Sequence, residues 1–119
     1  MIYTLFFSRL RDLSPEDRAD YLERVEALRS LAGAEHPGFV DIKSFTAEDG
    51  ERLSVVRFRD EDSLAGWRRD ATHREAQALG RSVFYGRYRI VTCQQLDEHE
   101  WEQPGTSPDQ AVEGGQPTA

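Results

Sequence analysis

The sequence predicts an α+β domain with the element order β-α-β-β-α-β, and three observations carry that expectation. Ile2 to Leu10 alternates as a strand, and an amphipathic helix opens at Ser14-Pro15-Glu16-Asp17. Two further strand-like runs, Phe39 to Thr46 and Leu53 to Arg59, are joined through an Asp49-Gly50 turn. Four antiparallel strands with helices on one face form the ferredoxin-like, or split βαβ, arrangement.

Each element has its own local reason. The first strand places Ile2, Thr4, Phe6, Ser8 and Leu10 on one face, and Tyr3, Leu5, Phe7 and Arg9 on the other. Both faces begin apolar, so the strand is expected to be covered on both sides. In the first helix Ser14 is the expected N-cap, Pro15 sits at the first helical position, and acids fill the first turn. Tyr21, Leu22, Val25, Leu28 and Ala32 recur at helical spacing, while Arg18, Asp20, Glu23, Arg24, Glu26 and Arg29 occupy the outer face. His36-Pro37-Gly38 ends it. After the hairpin, Asp60-Glu61-Asp62-Ser63 opens a short helix through Trp67. Thr72-His73-Arg74-Glu75 reads as a capping box for another helix, ending near Gly80. Tyr88 to Leu96 is the last strand expected.

Helices on one face leave the other sheet face bare. Leu53 and Val55 on one side, and Val56 and Phe58 on the other, suit water on neither. A second copy packed sheet to sheet solves that burial problem, so a homodimer is expected.

Composition bounds the function. With 119 residues the chain holds one domain, assigned to 1–98, followed by a tail at 99–119. The net charge is −7. Asp97, Glu98, Glu100, Glu102, Asp109 and Glu113 supply 6 of the 22 acids, and no Lys or Arg follows position 96. That leaves 16 acids against 15 bases in 1–96, a net of −1. The acidity therefore belongs to the end of the chain. Pro, Gly and polar residues dominate after Trp101, which predicts disorder there. Neither part has the basic excess that a phosphate backbone needs, so no nucleic-acid partner is expected. No apolar run approaches the roughly 20 residues that span a membrane, and no membrane partner is expected. Cys93 is the one cysteine. Together with the lack of a basic leader, it places the protein in the cytoplasm.

Pro37-Gly38-Phe39, the stretch Ser44 to Arg52, and the set Trp67, His73, Gln77, Gly80, Arg81, Phe84, Tyr88, Ile90 and Cys93 carry a family likeness. Over positions 2–97 the chain resembles the antibiotic biosynthesis monooxygenase family. The resemblance implies a dimeric α/β-barrel. It also implies cofactor-independent oxidation by O₂ of a hydroxylated aromatic of anthrone or quinol type. A second branch of the family binds and degrades haem. It uses an asparagine on the first strand, a tryptophan, and a histidine ten residues later as iron ligand. Those positions are Ser8, Trp67 and Gln77 in this chain. An amide is a poor ligand for haem iron, so haem degradation is not expected.

Quinone-forming chemistry needs a dry aromatic cavity, a group that stabilises a phenolate, and a base. The resemblance points to Trp67, Gln77, His73 and Ser8 as catalytic, with Phe6, Phe58, Trp67 and Tyr88 holding the substrate. No cofactor and no metal are expected: His36, His73 and His99 are scattered, and there is no nucleotide fingerprint. Each candidate has a plainer use as well. Trp67 serves equally as a core anchor, and His73, in a first helical turn, serves as a surface or capping residue. The functional alternative is a non-catalytic dimer that binds a small hydrophobic ligand or acts as an interaction module.

Overall fold

The computed structural model describes residues 1–105. Four strands, β1 (Ile2–Leu10), β2 (Phe39–Thr46), β3 (Arg52–Phe58) and β4 (Tyr85–Gln94), form one antiparallel sheet in the order β2-β3-β1-β4. Helices α1 (Pro15–Glu35), α2 (Glu61–Arg69) and α3 (Ala71–Leu79) cross one face, and a π-helical turn at Gly80–Phe84 leads into β4. The fold is the ferredoxin-like α+β arrangement. β1 lies at the centre, pairing Ile2 with Phe58 and Ser8 with Arg52 on one side, and Ser8 with Tyr88 on the other.

The local signals act as the chemistry requires. The Ser14 hydroxyl accepts the Asp17 N–H at 3.1 Å, capping α1. Gly50 adopts φ +90°, the left-handed conformation that a glycine tolerates without Cβ strain. The turn closes with Ala47 N–H donating to the Glu51 carbonyl at 2.8 Å. Gly38 is required by packing: a Cβ there would overlap the Ser63 side chain.

Four details differ from the sequence expectation. The buried line of α1 is Tyr21, Val25, Leu28 and Ala32, and Leu22 is turned out at 53% exposure. Spacings of four, three and four residues keep the first set on one helical stripe, and Leu22 falls off it. Helix α2 runs two residues past Trp67, to Arg69. Helix α3 is capped by Asp70 rather than Thr72, because the Asp70 carboxylate accepts the N–H groups of Thr72 at 2.9 Å and His73 at 3.3 Å. Strand β4 begins at Tyr85, three residues early, and stops before Leu96.

The core joins Ile2, Phe58 and Leu64, with Phe39, Val56 and Trp67 packed around them. A second cluster forms where Tyr21 meets Phe84 edge-on at 5.3 Å. Among the described residues no helix packs on the opposite sheet face, which carries Tyr3, Leu5, Phe7, Leu53 and Val55. Past β4 the described chain has no regular structure, and Leu96 and Trp101 are 93% and 70% exposed. The disorder expected of the tail falls largely on residues 106–119, outside the described residues. Among the described residues, no helix is long and apolar enough to cross a membrane.

Candidate functional site

Between the helices and the covered sheet face lies a cavity of about 210 Å³. The residues selected from sequence meet there: Phe6, Ser8, Phe58, Trp67, His73, Gln77 and Tyr88 all line it. Period-two alternation aims Thr4, Phe6 and Ser8 of β1 into this space, while α2 and α3 contribute Trp67, His73 and Gln77. His73 and Gln77 are four residues apart on α3 and share its inward face.

Trp67 organises one end. Its indole stacks on the His73 imidazole at 4.3 Å and 27°, and meets His36 edge-on at 5.1 Å. The His36 Nε2 contacts Asp70 Oδ2 at 3.0 Å, and Asp70 caps α3, so the cap and the aromatic cluster are braced together. That contact and the backbone N–H groups around it hold the Asp70 carboxyl below the usual range. Burial pushes the His73 pKa below its ordinary value, offset in part by the Trp67 backbone and the Asp70 charge. His73 Nδ1 is buried with no hydrogen-bond partner. A neutral imidazole with a free nitrogen beside an aromatic wall is equipped to accept a proton.

The middle is apolar, walled by Phe6 and Val56. Phe6 stacks on Tyr88 at 5.5 Å and meets Tyr85 edge-on at 5.4 Å. Phe58 reaches the cavity too, but at 1% exposure it is first a core residue.

The far end is polar. Ser8 is buried at 3% exposure and pairs across the sheet with both Arg52 and Tyr88. The Tyr85 hydroxyl donates to the Tyr21 hydroxyl at 3.3 Å, and burial with that bond raises the Tyr85 pKa far above its ordinary value. Arg11 supports the π-helical turn that delivers Tyr85, donating to the carbonyls of Arg81, Ser82 and Tyr85 at 2.8, 3.0 and 2.9 Å.

Sequence reasoning passed over Thr4, Arg52 and the His36–Asp70 contact. Thr4 Oγ1, like His73 Nδ1, is buried without a partner. Thr4 was recoverable, since it shares a strand face with Phe6 and Ser8. The His36–Asp70 contact joins residues 34 positions apart, and no spacing rule announces it. The site does not match haem: Gln77 offers an amide, and the His73 ring lies against Trp67.

Fold and cavity together define an antiparallel α+β domain with a cavity between its helices and its sheet. Residues 8–79 match the antibiotic biosynthesis monooxygenase family. The chain is also 33% identical over 88 residues to the uncharacterized protein YqjZ of Bacillus subtilis (strain 168), covering 74% of each chain. It belongs to the antibiotic biosynthesis monooxygenase family. Among solved structures it is similar in fold to Rv0793 from Mycobacterium tuberculosis, with a TM-score of 0.68 at 17% identity over 83% of this chain and 98% of that one. A conserved protein from Methanosarcina mazei Go1 gives a TM-score of 0.64 at 14% identity, over 80% and 92% of the two chains.

Proposed function

We propose that the protein is a cofactor-independent monooxygenase that oxidises a hydroxylated aromatic, of anthrone or quinol type, with O₂. The observation that carries this reading is His73: its imidazole, stacked on Trp67, lines an aromatic-walled cavity, and its Nδ1 is buried without a partner among the described residues. In the proposed reaction the substrate hydroxyl gives its proton to His73, and the electron-rich anion reduces O₂ directly. In an anthrone-type substrate, whose carbon para to the hydroxyl bears hydrogen, one oxygen atom bonds to that ring carbon. The other leaves as water, taking the hydrogen lost from that carbon and the hydroxyl proton. The product is the quinone. Gln77 offers a hydrogen bond to the developing anion at the His73 end, Ser8 and Tyr88 offer theirs at the far end of the ring system, and Phe6, Phe58 and Trp67 exclude water.

The working unit in this reading is a homodimer, with the bare sheet faces of two copies packed together. Half-buried Cys93 carries no disulfide, which suits the reducing cytoplasm. Oxygen uptake with anthrone and hydroquinone substrates, corrected for autoxidation with heat-denatured protein, tests the activity. Uptake above that control, lost in Trp67→Phe or Gln77→Ala, is the expected result. Uptake equal to the control across the panel would turn the reading toward a binder without turnover.

A further inference from the structure

The arginines divide in an informative way. Four of them are half-buried: Arg9, Arg24, Arg52 and Arg57. Three are matched to a carboxylate, Arg9 to Asp49 at 2.6 Å, Arg24 to Asp20 at 3.2 Å, and Arg57 to Asp41. Arg52 has no ion-pair partner among the described residues, and it is the one of the four that lines the cavity. Other arginines without a carboxylate, such as Arg69, Arg74 and Arg87, are exposed, where water solvates the charge. A half-buried guanidinium in an apolar cavity pays a desolvation cost that only an anion offsets fully.

Its surroundings repeat the message. Arg52 pairs across the sheet with buried Ser8, and its charge acts on the Tyr85 hydroxyl. Ser8, Tyr21 and Tyr85 line the same cavity as this cation, and among the described residues no carboxylate lines it. On β3, Arg52 lies six residues from Phe58, about 20 Å along the strand. Phe58 packs in the core cluster with Trp67, so the Arg52 end is remote from the Trp67–His73 end.

We propose that the cavity takes an elongated hydroxyaromatic bearing a carboxylate, with that carboxylate held by Arg52 and the hydroxylated ring toward His73. This inference rests on the hydroxyaromatic reading above and makes Arg52 the specificity-determining residue. Arg52 acts through binding and orientation and takes no part in the proton transfer at His73. A guanidinium binds a carboxylate through two parallel hydrogen bonds, which favours a planar acid over a neutral analogue.

A matched pair of quinone ligands tests the proposal: 1,8-dihydroxyanthraquinone and the same ring system carrying a carboxylate. Binding is read from quenching of Trp67 fluorescence in the full chain with Trp101→Phe, which leaves one tryptophan. The carboxylated ligand is expected to bind about tenfold tighter or better, since charge-assisted bonds of this kind exceed about 1.4 kcal/mol. In Arg52→Gln that preference should fall to about unity, with the affinity for the uncharged ligand held. Arg52→Lys should retain part of it, and circular dichroism checks that both variants fold. Equal affinity of the two ligands in the parent protein would overturn the anion site and leave the hydroxyaromatic reading standing. A preference that survives Arg52→Gln but disappears in Arg29→Gln, at the exposed rim of the cavity, would overturn the assignment to Arg52. Binding of neither ligand would overturn both readings.

Discussion

The two faces of the sheet are built from alternate residues of the same strands, yet they treat polar groups in opposite ways. On the helix-covered face, Thr4 Oγ1 and His73 Nδ1 are buried without partners and Arg52 has no carboxylate. On the bare face two of the cations already have close partners. Arg57 pairs with Asp41, and Arg89 lies over the Phe7 ring at 4.6 Å. Tyr3, Leu5 and Val55 give that face an apolar centre. One surface leaves apolar side chains uncovered beside the Arg57–Asp41 pair, which suits a second protein surface. The other is closed hydrophobically and open electrostatically, which suits a polar-substituted aromatic. Unsatisfied groups mark a ligand site more sharply than cavity shape does, because a buried polar atom without a partner is costly unless something binds it.

The largest expected effect would break the covered face altogether. Phe58→Ala should destabilise the protein by about 3–5 kcal/mol, the range for truncating a core aromatic, read from urea unfolding. Next, Leu5→Asp on the bare face should leave the helices formed by circular dichroism but weaken the proposed dimer by about 100-fold or more, since a buried unpaired charge is strongly disfavoured. Sedimentation over a dilution series measures it, and an unchanged dimer would mean that the interface lies elsewhere. A smaller change separates orphaned from partnered hydroxyls on the covered face by sign. Thr4→Val removes an orphaned hydroxyl and should stabilise the ligand-free protein by about 1 kcal/mol, while weakening aromatic binding. The same swap at Thr92, whose hydroxyl accepts from Arg68 at 2.7 Å, should not stabilise.

The subtlest prediction concerns pH. Burial holds His73 below its ordinary value of 6.5, so the unfolded chain takes up the proton first as the pH falls. Stability from this group is full above about pH 6.5 and declines below it. Urea unfolding at descending pH should show that loss, and His73→Gln should remove its share. An identical slope in the variant would place the histidine in water.

Much of this was legible in the chain. Strand alternation, the Ser14-Pro15 start, the Asp49-Gly50 turn and the Asp60 cap are short-range signals, and each acts within a few residues. The boundaries that moved did so where two local choices competed. Asp70 and Thr72 both offered a cap for α3, and Asp70 also ends α2 through its backbone N–H and reaches His36 through its carboxylate, so three uses settle on one residue. The start of β4 depended on the π-helical turn, which Arg11 supports from more than 70 residues earlier in sequence.

By itself the sequence determined the order of elements, the two sheet faces and the residue types available to a site, because periodicity and capping are properties of neighbours. It could place His73 and Gln77 on one helix face but not say whether that face looked inward. Only the tertiary structure decided that, by laying α3 over the sheet with Trp67 stacked on His73. It also decided which polar groups go without partners. Thr4, Arg52 and His73 look ordinary in the chain, and each stands out only once the packing shows what lies around it. Partnership is a matter of three-dimensional distance, and separation along the chain does not reveal it.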